Sequence, residues 1–392
     1  MMDSFYLAWR YLRYHKVRTS LLVAIITLTL FVPSGINALI AETARELRDR
    51  ARQTPLIVGA NGSPTELALN SLYFDTNPPE VTKMAIYRRV RGTKYASAIP
   101  LHARFRAQNR PIVGTSLDYF SFRELEIESG RFFAMLGECV VGAEVAKKLG
   151  LKVGSSVISQ PESIFDLAGV YPLKMNVVGV LKATGSPDDD VIFVDVKTTW
   201  IIAGLGHGHQ NLSKDDVGGA VLTSEENRLT ANASVLTYTE ITPENVSSFH
   251  FHGNRNDFPL TGIIAVPVDA KGKAILLGRF QSDDRPAQMI DPSEVMEQLL
   301  STVLRVRNFV LAGSVLLAFA SLCLVFYIFG LSVRLRKREI ETMRRIGAGK
   351  FKIVSIIGIE IALTLVTSSL AAAVLTALSR QYGSDAIRWF LL

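Results

Sequence analysis

Four of the chain's six histidines stand as two spaced pairs, His207-Gly-His209 and His250-Phe-His252. Along a strand, residues i and i+2 share a face, so each pair offers two imidazoles to one ion. Two such pairs meeting would give the nitrogen-rich ligand set that suits zinc or copper. The plainer reading makes AGLGHGHQNLSKDDVGG an exposed glycine-rich loop and leaves His250 and His252 on a strand facing water. Asp188, Asp189 and Asp190 crowd another segment, TGSPDDD. Calcium loops space their carboxylates at alternate positions and close with a later glutamate. That order is missing, so the three are expected to be solvated carboxylates in a turn and not a calcium or magnesium site.

No sequence pattern for covalent chemistry is present. Nothing matches the phosphate-cradling G-x-x-x-x-G-K-[ST] pattern, and Gly347-Ala348-Gly349-Lys350 lacks both the earlier glycine and the Ser/Thr. H-E-x-x-H, G-x-S-x-G and Cys/His nucleophile arrangements are missing too. The chain is therefore expected to be non-catalytic and to hold no nucleotide of its own. IVGANGSPTELALNSLYF reads as strand, glycine turn and helix, a shape that can hold phosphate. It carries neither nucleotide fingerprint.

The elements that must position these residues belong to a chain of split character. Its 392 residues carry a formal net charge of +7 and are one-fifth charged, yet the mean hydropathy is +0.24. Segregation explains this: a few membrane helices plus a soluble body large enough for its own core. The basic excess sits beside the apolar runs, which argues for membrane topology and against a nucleic-acid partner. Cys139 falls in the soluble body and Cys323 in an apolar run, so the two are not expected to meet.

Three runs are long and apolar enough to cross a bilayer, which takes about 20 residues: 20–40, 308–333 and 353–377. Residues 1–19 place Phe5, Trp9 and Leu12 on one face and Arg10, Arg13, Lys16 and Arg18 mostly elsewhere, the pattern of an amphipathic helix on the lipid headgroups. The first apolar run exceeds the usual signal-peptide core and ends without a small-x-small site. It reads as an uncleaved span with a cytoplasmic N-terminus. AETARELRDRARQ, residues 41–53, should prolong it as a helical stalk.

Between the second and third runs lies RLRKREIETMRRIGAGKFK, residues 334–352, with eight Lys/Arg in nineteen positions. Such loops mark the cytoplasmic side. Glu339, Met343 and Ile346 recur at helical spacing with Ile340 beside them, and Gly347 and Gly349 supply a helix stop. A short amphipathic helix of this kind holds topology or touches anionic lipid, or else couples a cytosolic partner to the membrane.

Residues 54–307 form the body, placed outside the cytoplasm because the first two spans must cross in opposite directions. ASAIPLHARF and RPIVGTSLDYF read as strands. ECVVGAEVAKKLGLKVGSSVIS reads as strand, helix over 143–149, turn at Gly150 and strand. MNVVGVLKATGSPDDDVIFVDVKTTWII reads as two strands around the aspartate turn. ASVLTYTE and TGIIAVPVDA add strands. PSEVMEQLLSTVLRVRNFVL is a helix running into the second span as a second stalk.

KREIETMRRIGAGKFKIVSIIGIE resembles the "REIGxLRAxGAxxxxI…E" segment of FtsX-like, MacB-like ABC transporter permeases. IVGANGSPTELALNSLYF is similar to their "VGAKGSPxxLxLxxLY", and the 138–155 region to their "xVVGxxVAxxLGLKVGD". The resemblance implies an α+β membrane protein of the bacterial inner membrane, with a large mixed α/β periplasmic domain over 41–307, inserted between the first two spans. Two permeases pair and bind cytosolic ATPase subunits, which carry the ATP and magnesium. A periplasmic adaptor or substrate-binding protein is a further expected partner. Glu339, Ile340, Met343, Arg344, Ile346, Gly347 and Ala348 would dock on the ATPase. Glu360, an acid inside the third span, would act as an anchor pairing with loop residues such as Lys352. The family usually has a fourth span; residues 378–392 read as an extracytoplasmic tail. A non-exporting regulator of a periplasmic partner, or a membrane-anchored zinc receptor, would fit the same residues.

Overall fold

Runs rich in β-branched and aromatic residues between positions 56 and 290 form the strands of one mixed sheet. The structure is a computed structural model describing residues 2–74, 77–160, 172–208, 221–225, 228–231, 240–280 and 286–391. The chain divides into a unit at Arg50–Glu297 and a second built from Met1–Asp49 and Gln298–Leu392.

In the first unit the large sheet and one separate ribbon are made of β1 (Leu56–Gly59), β2 (Ala96–Ala107), β3 (Arg110–Thr115), β4 (Ile127–Gly130), β5 (Glu138–Val141), β6 (Ser156–Ile158), β7 (Lys174–Leu181), β8 (Ile192–Asp195), β9 (Gly206–Gly208), β10 (Phe249–Phe251), β11 (Gly262–Pro267) and β12 (Gln288–Ile290). Two more short antiparallel pairs, Thr82–Lys83 with Pro259–Leu260 and Val221–Glu225 with Arg228–Ala231, form two-stranded sheets of their own. The large sheet runs β12-β1-β11-β2-β3-β8-β5-β7-β4, with β6 also on β7. Only β3–β8 and β5–β7 are parallel within it. β2 serves both halves: residues 96–101 pair with β11, and 102–107 pair with β3 across a bulge. β9 and β10 form a separate antiparallel ribbon.

Helices Met84–Gly92, Val196–Ile202 and Ala270–Phe280 cover one half of the sheet through a core including Val58, Val90, Trp200, Ile263 and Leu276. Beneath the other half, Ile112, Cys139, Val141, Met175 and Ile192 are buried together. A third cluster gathers Phe74, Tyr119, Phe120 and Phe193. Ala51 and Met296 are buried with Ile57, Leu67 and Leu72, so the helical ends of this unit belong to its core. Helix Ala143–Leu149 and the strands around it lie where the sequence places them. KTTWII is helical, not strand, and β7 and β8 are not neighbours because β5 lies between them. ASVLTYTE lies almost wholly outside the described residues.

The expectation of solvated aspartates is overturned. Asp188 and Asp189 are buried. Arg50 grips Asp188 through two bonds of 2.7 and 3.0 Å, and the Tyr119 hydroxyl donates to it at 2.7 Å. Asp189 accepts from the backbone N–H groups of Thr184 and Gly185. Asp190 pairs with Arg110 and Lys148. A carboxylate leaves water when a bidentate guanidinium and further donors replace its hydration.

The second unit is helical, and two of its helices begin or end in the first: α1 (Met2–Tyr14), α2 (Lys16–Arg52), α3 (Pro292–Leu335), α4 (Lys337–Arg345) and α5 (Lys350–Leu391). Among the described residues three helices, over Lys16–Ala41, Pro292–Leu335 and Lys350–Gln381, are long and apolar enough to cross a membrane. α3 alone has 44 residues, about 66 Å at helical rise, twice the apolar thickness of a bilayer. α2, α3 and α5 share a core of Leu22, Ile26, Val325 and Phe329, flanked by Ile361. Small polar groups tie the same helices: Thr29 donates to Ser321 at 3.1 Å and Thr27 to the Ser368 carbonyl at 3.3 Å. Phe309, Leu316, Phe319, Phe326 and Tyr327 face outward. The 378–391 segment continues α5 as helix.

Candidate coupling site

α4 is built by local rules. Its sequence KREIETMRR favours helix, and Glu341 and Arg345 pair across one turn at 3.2 Å. Its end is a Schellman motif: Ala348 N–H reaches the Met343 carbonyl at 2.9 Å and Gly347 N–H the Arg344 carbonyl at 3.1 Å. Gly347 sits at φ +93°, a left-handed backbone that glycine alone adopts without cost.

The structure divides the seven proposed docking residues. Ile340 and Met343, half-buried, line a cleft with Ile353, Ile356 and Ile357 of α5, so they seat α4 on its own chain. Glu339 lies 3.3 Å from Arg336. Arg344, Ile346 and Gly347 are exposed and Ala348 half-buried. Ile346 is 80% exposed and neighbouring Phe351 is 93% exposed, an apolar pair unusual beside Arg344, Arg345 and Lys350. Phe351 escapes a reading restricted to the helix, because it lies past the glycine stop.

At the base of α4 four helices meet on one carboxylate. Glu360 of α5 is 2% exposed and holds Arg18 of α2 at 2.6 Å and Arg336, the residue joining α3 to α4, at 3.0 Å. Tyr11 of α1 lies against both cations, with the Arg336 guanidinium 3.3 Å and that of Arg18 5.2 Å from its ring centroid. The expected loop partner is thus Arg336, not Lys352, which is exposed. Lys352 precedes Glu360 by eight residues in one helix, about 12 Å of axial rise, beyond easy reach. Arg18 and Tyr11 have no local signal in the sequence, since their distance from Glu360 is bridged only by folding.

The histidine candidates lie in the other unit. His207 of β9 faces His250 of β10 in register. Ligand-capable atoms of His207, His250 and His252 lie within 4.8 Å of one another. His209 lies outside the described residues.

A sequence model described as MacB-like periplasmic core domain matches residues 20–236, more than half of the chain. The chain belongs to the MacB-like permease family. The FtsX-like permease C-terminal model matches residues 311–387 of the same chain. No curated protein matches. Among solved structures, the periplasmic region of MacB from Actinobacillus actinomycetemcomitans is 11% identical with a TM-score of 0.36, covering 65% of this chain and 97% of that one. The extracellular domain of the noncanonic ABC-type transporter YknZ from Gram-positive bacteria is 12% identical with a TM-score of 0.33, covering 60% and 98%. This MacB/FtsX-like chain is an ABC transporter permease-type protein, and α4 with the Glu360 node falls inside its FtsX-like segment.

Proposed function

We propose that the chain is the membrane subunit of an ABC system in a bacterial inner membrane, with its N-terminus in the cytoplasm and the Arg50–Glu297 unit in the periplasm. ATP is hydrolysed by a separate cytosolic subunit that grips α4, and the chain turns that movement into a conformational change that exports or extracts a substrate. Two copies pair to receive two ATPase subunits. The observation that carries the reading is α4 and the turn after it: a short basic helix followed by exposed apolar Ile346 and Phe351, inside the FtsX-like match and flanked by two long apolar helices.

The physical logic is that of a lever with a fixed foot. Ile340 and Met343 lock α4 onto α5, so a push on Ile346 reaches the third span. The Glu360 node then ties that span to α1, α2 and the α3–α4 joint by charge-assisted bonds, which are shorter and stronger than neutral ones. α2 and α3 carry the motion outward.

Affinity purification of the full chain from its own host in detergent tests this. The expected result is a co-purifying protein with a G-x-x-x-x-G-K-[ST] sequence and ATPase activity, lost on Ile346→Glu or Gly347→Arg while the chain still folds. Recovery unchanged by both substitutions would remove α4 from the contact.

A further inference from the structure

We propose that the β9–β10 ribbon binds one zinc ion through His207, His250 and His252. The inference is independent of the transport reading, because it rests only on the periplasmic unit's own residues.

The ribbon's sequence sorts its two faces. Register pairs Gly206 with Phe251, His207 with His250 and Gly208 with Phe249, and paired residues point the same way. The glycines and phenylalanines share one face. A Cβ on Gly206 would stand 2.7 Å from the Phe251 ring, and one on Gly208 2.7 Å from Phe249. Phe249 and Phe251 pack against the domain core. The small residues in GHG are therefore the space into which the FHF rings fit. His207 and His250 are left on the opposite face, and His252, the next residue of that alternation, joins them.

His252 N–H bonds the Leu205 carbonyl at 2.9 Å, which extends the ribbon by one step. Ring centroids of the three imidazoles lie 5.0, 4.7 and 4.7 Å apart. Tetrahedral zinc with bonds of about 2.0–2.1 Å needs nitrogens about 3.3 Å apart. The ligand-capable atoms lie within 4.8 Å of one another, so binding an ion requires the rings to draw together. Nδ1 of His250 lies 3.1 Å from the Ser248 carbonyl. A carbonyl only accepts, so Nδ1 carries the proton, the outer-shell arrangement that orients metal-bound histidine. His250 and His252 are exposed and His207 half-buried, so an ion reaches the site from solvent. Three protein ligands leave a fourth position for water or a donor from elsewhere, as in open zinc sites. Imidazole ligands favour zinc over magnesium or calcium, which prefer oxygen.

Equilibrium dialysis of zinc against untagged, chelator-treated full-length protein in detergent tests the site. The expected result is one equivalent bound per chain, retained in about a hundredfold excess of magnesium and in His15→Ala. Binding should weaken at least about a hundredfold in His250→Ala and in His252→Ala, as loss of one of three ligands entails. X-ray absorption should show nitrogen neighbours at about 2.0 Å. Zinc bound equally by the His250→Ala/His252→Ala double variant, or no saturable binding by the unaltered chain, would overturn the assignment. Neither result depends on an ATPase partner.

Discussion

Glu360 shows how much one side chain can hold. Both of its oxygens are engaged by guanidinium groups. Glu360→Gln removes the charge that neutralises Arg18 and Arg336 together, and breaking a buried ion pair from one side costs about 3 kcal/mol or more. Arg18→Gln should cost less, since Arg336 continues to compensate the carboxylate; thermal unfolding in detergent ranks the two. In the Arg50–Glu297 unit, Asp188→Asn leaves the Arg50 charge buried without its counter-ion and should also cost about 3 kcal/mol, read by denaturant melts. The same residues set the acid response. Burial raises Asp188, but Arg50 and the Tyr119 hydrogen bond outweigh it and hold the carboxyl below its ordinary value. Hydrogen bonds from Arg131, with those of the Ala134 and Met135 amides, hold Glu138 down to about 2 against burial. Both carboxylates stabilise the fold above their unfolded values, and that contribution is lost as pH falls through the folded ones. Burial, aided by Arg104, lowers His102 to about 3. Thr199 Oγ1, 2.8 Å from His102 Nδ1, donates its own proton to the Val196 carbonyl, so Nδ1 is the protonated nitrogen of a neutral ring. The unfolded histidine takes up a proton near about pH 6.5, so stability should fall from there downward, by up to about 1.4 kcal/mol per pH unit. His102→Asn should flatten the decline between about pH 6.5 and 5, measured by thermal melts across pH. None of these partnerships was legible in the sequence: Arg50 and Asp188 lie 138 positions apart, and the TGSPDDD string looks the same solvated or buried.

At the scale of elements the chain speaks more openly. Gly347 was legible as a stop because a glycine after an amphipathic basic helix has one common use. Its φ of +93° and the open space around a notional Cβ make a clean prediction. Gly347→Ala meets no clash and pays only the left-handed backbone, about 1 kcal/mol. Hydrogen exchange at Ala348, whose N–H closes the motif on the Met343 carbonyl, should quicken about fivefold, as about 1 kcal/mol implies. Unchanged protection would mean that the Schellman bonds do not limit opening there. Helix Ala143–Leu149 and the strands at 56–59, 96–107 and 262–267 form where short apolar runs are bounded by Gly, Pro and Asn. KTTWII misleads, since β-branched and aromatic residues read as strand while a capping bond from Lys197 N–H to Asp195 starts a helix. Half-burial of Ile340 and Met343 was equally hidden. An apolar stripe looks the same from the sequence whether it faces a partner or the chain's own next helix.

For the whole molecule, the family was legible because motif and order agree: an apolar run, a body of strands, a second run, a basic loop and a third run. Those features reflect composition and periodicity, which survive without knowledge of contacts. The account rests on the claim that α4 takes force from a cytosolic ATPase. Crosslinking tests it most directly, with Ile346→Cys placed in a Cys323→Ser background, since Cys139 is buried and Cys323 exposed. The account predicts a crosslink from residue 346 to a nucleotide-binding subunit in membranes of the native host, with a yield that changes when ATP is added. Residue 346 captured by no such subunit in any nucleotide state would contradict it.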